Sequence, residues 1–192
     1  YGRWLKDYGP PGVLNFSWPQ AMGVFAQGKA AFYTDASAIY KNAVDPEKST
    51  VAENVGFASF PAGSAGAKPY SITSWALGMN AQSDNKDAVW AFIKWATGKE
   101  VMLKTQQGGN PGVRNSVWND PEGVKGFPAE LVEVIRESSK VGVGHDRPLV
   151  VNVGEARDII GEIVIQAILG EDVQAAADKA NQAFQALIDG EK

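Results

Sequence analysis

Residues 70–98 read YSITSWALGMNAQSDNKDAVWAFIKWATG. A serine-rich approach leads into a short β-like run, Trp75-Ala76-Leu77-Gly78-Met79, and then into a polar break from Asn80 to Asn85. Beyond it, Val89, Phe92, Ile93 and Ala96 recur at helical spacing and predict one apolar stripe, with Trp90 to its side. Asp84, with Asp87 three residues on, is placed to cap that helix, and Gly98 to end it. Trp90 and Trp95, on a helix, are expected in a core. A strand that ends at a flexible junction beside Trp75 predicts a binding cleft at a hinge.

Towards the N-terminus, residues 29–34, KAAFYT, read as a strand that ends at Asp35, with a helix from Ser37 to Ala43. Such a junction presents free backbone N–H groups, and open α/β folds bind ligands there. Aspartate is also a common helix cap, so Asp35 has two readings: ligand contact or cap. Upstream, Ser17 as N-cap and Pro19 in the first turn predict a helix over residues 17–27. Downstream, residues 54–61 read as a strand closed by Pro61, and the Gly/Ala/Ser loop 62–69 is a candidate mobile flap.

Towards the C-terminus, a helix over residues 99–107 is stopped by Gly108-Gly109, and 110–115 must be irregular because it holds Asn-Pro-Gly. Arg114 in that loop is either a solvated charge or a deliberate contact. Helices follow over 128–139 and over 154–169, the latter with Ile159, Ile160, Ile163, Val164, Ala167 and Ile168 on one face and Gly170 as its stop. Between them lie a loop, 141–148, and an extended run, 149–153. Asp172 caps a last helix carrying Val173, Ala177, Ala180, Phe184 and Leu187 at helical spacing.

Composition narrows the function. The 192 residues suffice to bury a core, and 18 basic against 22 acidic residues, with no basic cluster, argue against nucleic acid as a partner. No cysteine and a single histidine, His145, leave little for a metal site or a thiol nucleophile. A serine nucleophile would need a Gly-x-Ser-x-Gly elbow, which is missing, and VGVGHDR (141–147) lacks the third glycine of a dinucleotide loop. Neither cofactor nor metal is expected. No apolar run reaches the roughly 18–20 residues that cross a bilayer. The first eight residues begin without methionine and read as the end of a helix already under way, so the chain is expected to be a fragment.

Six tryptophans remain to be explained. A flat apolar ring stacks on the C–H face of a sugar while Asp, Asn and Arg pair with its hydroxyls. Trp75, beside Ser71, Thr73 and Ser74, fits this chemistry as well as it fits a core.

Taken in order, FAQGKAAF (25–32), VGFASFPAG (55–63), WALGMN (75–80), SDNKDAVWAFIKWAT (83–97), GNPGVRNS (109–116), Arg147-Pro148 and Leu169-Gly170 form a pattern. It resembles the extracellular solute-binding proteins of ABC importers, family 1, the group that includes maltose-binding protein. The resemblance covers about the second half of such a protein. It implies an α/β fold: the periplasmic binding protein-like (type II) C-terminal lobe of an incomplete two-lobe structure. Residues 1–78 and 114–192 would form that lobe, and 80–109 a helical pair that packs on the absent N-terminal lobe. The implied function is that of a non-enzymatic substrate-binding component, capturing a sugar or polyol in an interlobe cleft and delivering it to the membrane permease. The implied location is the periplasm, or the outer face of the membrane through an anchor in a Gram-positive source.

Carried over residue by residue, the resemblance puts Asp35 and Ser37, Ser74 and Trp75, Arg114 of the Pro-x-x-Arg loop, and Arg157 after Arg147-Pro148 at the cleft. Ala36-Ser37-Ala38 stands where many relatives carry Gly-Pro or Gly-Pro-Trp, which departs from an aromatic sugar platform. Two other readings remain: a carbohydrate-active hydrolase, needing two carboxylates roughly 5–10 Å apart, and a protein-interaction module. An apolar stripe at Val89, Phe92, Ile93 and Ala96 without its partner lobe would also favour self-association.

Overall fold

A computed structural model describes residues 1–64, 66, 71–144 and 147–191. By its contacts the chain divides into two units, Tyr1–Ala21 with Asp146–Lys192, and Met22–His145.

The first unit is built on α9 (Val153–Leu169) and α10 (Val173–Gly190), with α1 (Gly2–Tyr8) against α9. Asn152 starts α9 by accepting from the Glu155 N–H at 3.3 Å, and Asp172 starts α10 by accepting from Gln174 and Ala175 at 3.0 and 3.1 Å. Gly170, at φ +86°, ends α9 with two N–H groups folded back on Gln166 O, and the Lys6 ammonium donates to Leu169 O at 3.3 Å. Gly2 sits so close to α9 that a methyl group there would lie 2.3 Å from the Ala167 Cβ. Its missing side chain is what lets α1 dock. At the other end, the Glu191 carboxylate accepts from the N–H groups of Val151 and Asn152 at 2.9 and 2.7 Å.

The second unit holds α3 (Lys41–Val44), α4 (Lys86–Ala96), α5 (Lys99–Gln107), α6 (Asn115–Trp118), α7 (Pro121–Val124) and α8 (Ala129–Val141), and α2 (Trp18–Ala26) ends in it. Its core is Tyr40, Phe127, Leu131 and Val132, edged by Val44, Phe57, Trp118, Val124 and Ile135. The rings of Tyr40 and Trp118 lie 5.2 and 5.4 Å from that of Phe127. Gln106 is wholly buried: it donates to Gly123 O at 2.8 Å and accepts from the Gly112 N–H at 3.1 Å, and Trp118 donates to Gly112 O at 2.8 Å. These bonds hold the Asn-Pro-Gly loop in an ordered shape although it belongs to no regular element. Lys41 reaches the end of α5, donating to Gly108 O at 2.5 Å, and Thr50 closes α2 on Ala26 O from both its N–H and its hydroxyl.

The helices predicted over 17–27, 99–107, 128–139, 154–169 and after Asp172 form within a residue or two of those bounds. The helix expected from Ser37 breaks into a 3-10 turn, Ser37–Ile39, and α3. Asp84 does not cap α4: the N-cap is Asn85, whose N–H is taken by the Ser83 hydroxyl at 3.2 Å. Trp90 and Trp95 are 52% and 62% exposed, not core, because α4, which packs against α5, buries no residue.

The α/β expectation is not confirmed. Among the described residues no strand forms, and 29–34, 54–61 and 75–79 run without ladder partners. A strand exists only through hydrogen bonds to a neighbour, and here pairing is limited to two isolated bridges, Gly63 with Gly66 and Ser71 with Val143. Half of the flap expected over 62–69, residues 65 and 67–69, lies outside the described residues, as does His145.

Candidate functional site

The most ordered polar group among the expected site residues is at Asp35. Its Oδ1 accepts from the Ala36 N–H at 2.6 Å and its Oδ2 accepts from the Tyr33 hydroxyl at 2.5 Å. The Tyr33 ring in turn stacks on Phe25, centroids 6.0 Å apart and 29° between planes. Alternation along an extended run explains the geometry: residues 33 and 35 project to the same side, so the phenol reaches the carboxylate two positions on. Burial, then the hydrogen bond to Asp35 and its negative charge, pushes the Tyr33 hydroxyl well above the ordinary tyrosine range. It therefore stays a donor to the carboxylate at any physiological pH. Asp35 does not cap the following turn, whose N-cap is Ala36 with no side-chain bond. Ser37, half-buried, opens that turn.

Trp75 stands apart from any packing. Its approach is fixed by the Ile72 N–H donating to Val143 O at 2.7 Å and by the contact of the Ser71 and Thr73 hydroxyls at 3.2 Å. Past that anchor Ser74 and Trp75 lie in backbone of no regular element, and the indole is 97% exposed. It does not serve the core of this chain.

Arg114 has a structural partner. Its Nε donates to Thr97 O at 2.5 Å, at the end of α4, where unpaired carbonyls carry partial negative charge. Arg157 is exposed on the early part of α9, in the first unit. Among the described residues no hydrogen bond or ion pair joins any two of Asp35, Ser37, Ser74, Trp75 and Arg114, all in the second unit. Tyr33 is the contributor that sequence reasoning missed. The spacing Tyr-x-Asp at the end of an extended run was its signal.

Among the described residues, no group of three or more histidine, aspartate or glutamate side chains could hold a metal ion. No described helix is long and apolar enough to cross a membrane.

The run of motifs before residue 100 has a counterpart in the sequence comparisons. A family model described as bacterial extracellular solute-binding protein matches residues 1–103, over half of the chain, which belongs to that family. The erythritol/L-threitol-binding protein of Mycolicibacterium smegmatis is 38% identical over 123 residues, covering 61% of this chain and 26% of that protein. The mannitol-binding protein of Pseudomonas aeruginosa is 34% identical over 125 residues, 62% of this chain and 29% of that one. A probable amino-acid ABC transporter periplasmic-binding protein of Sinorhizobium fredii is 24% identical over 124 residues, 65% of this chain and 27% of that one. The matches thus span little more than a quarter of the length of these relatives.

Proposed function

We propose that this chain is part of the substrate-binding component of an ABC importer that captures a polyol or sugar between two lobes and hands it to the membrane permease. The observation that carries the reading is family membership over residues 1–103 together with two relatives named for linear polyols, at 38% and 34% identity. On the side of this chain, Asp35, Ser37 and Ser74 offer hydroxyl partners and Trp75 a flat apolar face, the pairing a polyhydroxylated solute requires. Arg114 and Arg157 complete the proposed lining. Nothing in this set is assigned to catalysis.

In this reading residues 1–78 and 114–192 belong to the C-terminal lobe, an α/β layer in which 29–34, 54–61 and 75–79 take their places in a sheet. Residues 80–109 cross to the other lobe, and Val89, Phe92, Ile93 and Ala96 pack on it. In isolation that stripe is a route to self-association. The protein works outside the cytoplasmic membrane, free in a periplasm or tethered to the outer face.

Calorimetric titration of the full-length protein with erythritol, L-threitol, mannitol and a panel of amino acids tests the proposal. Saturable binding of a polyol is expected, and replacing Trp75 with alanine is expected to weaken it by about 1–3 kcal/mol, the scale of a lost aromatic contact. Binding of an amino acid with no response to polyols would overturn the reading.

A further inference from the structure

We propose that the seat of Ile72 on Gly142, at the C-terminal end of α8, sets where Trp75 stands, so that Gly142 and Ile72 are positioning residues for solute binding although neither touches the solute. The inference rests on the solute-binding reading above, in which the Trp75 ring is a contact, and adds what holds that ring in place.

Position 142 is a glycine for want of room. Its backbone, at φ −70° and ψ 152°, is open to any residue, so no dihedral angle demands it. A Cβ there would press on the Ile72 side chain, 2.6 Å from its Cδ1, and on the Ser138 carbonyl oxygen at 2.9 Å. Ile72 thus lies closer to the end of α8 than any side chain at 142 would permit. Two backbone contacts hold the approach: the Ile72 N–H donates to Val143 O at 2.7 Å, and Ser71 forms a parallel bridge with Val143.

α8 is a firm reference for this seat. Leu131 and Val132, near its start, lie in the core with Tyr40 and Phe127, and the Glu130 carboxylate accepts from the Phe57 N–H at 3.0 Å. Its last turn closes on Gly142, whose N–H donates to Ser138 O at 2.8 Å. Past Ile72 the ties end. Among the described residues the backbone of 74–79 makes no hydrogen bond, and the Thr73 hydroxyl reaches only back to Ser71, at 3.2 Å. Trp75, 97% exposed, follows directly on this stretch. Its place is therefore inherited from Ile72, and a push at Gly142 travels along the chain to the indole.

Calorimetry on the full-length protein with erythritol, L-threitol and mannitol tests the inference, each variant being first shown to fold by urea unfolding. Gly142→Ala is expected to weaken binding of the polyol taken up about 10-fold, the scale of a displaced aromatic contact. Ile72→Ala removes the same seat without adding bulk; it is expected to weaken binding about 3-fold, and carries the test where Gly142→Ala does not fold. Combining the two relieves the clash at Ile72 and should bring affinity back to within about 3-fold of wild type. The deciding readout is the same changes made in Trp75→Ala: with the ring gone, each should cost less than about 2-fold, because nothing is left to position. Equal losses in both backgrounds would assign the seat a merely structural role and overturn the inference. So would wild-type affinity in Gly142→Ala and Ile72→Ala while Trp75→Ala still weakens binding. Wild-type affinity in Trp75→Ala would remove the indole from the site, and the role of the seat with it, while polyol binding itself would stand. A wild-type protein that ignores all three polyols would overturn the solute-binding reading, and the inference with it.

Discussion

The corner around Gln106 and the segment around Trp75 are both irregular backbone, yet they meet opposite ends. Gln106, Gly112, Trp118 and Gly123 lie within 18 residues of one another, and each polar group there finds its partner inside that span. The backbone of residues 74–79 has polar groups of the same kind and no hydrogen-bond partner among the described residues. What differs is not flexibility of composition, since the Gln106 corner has more glycine and proline. The difference is the distance along the chain at which partners are found. Loops that close locally order themselves, whereas extended runs wait for neighbours from elsewhere.

That contrast can be broken at several points, each read by urea unfolding of the full-length protein. Leu131→Ala empties the core that the closed region is built on, and should cost about 3 kcal/mol, the usual scale for a leucine cavity. A loss under about 1 kcal/mol would mean that the Tyr40–Phe127 cluster is not the anchor. Gln106→Leu keeps the volume but strands the Gly112 N–H and the Gly123 carbonyl, so about 2 kcal/mol is expected. Wild-type stability in this variant would show that the corner does not depend on its buried amide. Asp172→Ala removes an N-cap that serves two N–H groups at the start of α10 and should cost about 1 kcal/mol. Trp75→Ala should lie within about 0.5 kcal/mol of wild type, since an indole that packs on nothing supports nothing. A large loss there would place Trp75 in a core formed with partners beyond this chain.

The same rule explains how far the sequence could be read. Helices α9 and α10 were legible because the apolar repeat, the Asp172 cap and the Gly170 stop lie within one helix length. Pro121 after Asp120 also marks a helix start, and α7 begins there with the Asp120 side chain accepting from Glu122 at 3.2 Å. That signal was passed over amid the Gly/Pro-rich surroundings. The extended runs were recognisable as extended, but their pairing was not, because a ladder is a relation between distant segments. The exposure of Trp90 and Trp95 was hidden for a similar reason: an apolar stripe announces that a helix needs a cover without saying which chain segment supplies it.

At the site, Asp35 and Trp75 were visible as residue types in a suggestive place, and Arg114 was too. Only geometry could show that the Arg114 guanidinium already has a carbonyl to serve at the end of α4. A tyrosine in a predicted strand ordinarily reads as a packing residue, and only geometry shows the bond of the Tyr33 hydroxyl to the carboxylate two positions later.

The Glu191 carboxylate has a consequence for slow exchange with solvent. Val151 and Asn152 lie on exposed backbone ahead of α9, where amide protons would be expected to swap with deuterium almost at once. Because both are held by a side chain from the turn that follows α10, their exchange is gated by the fraying of that turn. Two amides near residue 150 thus serve as a clock for events forty residues away.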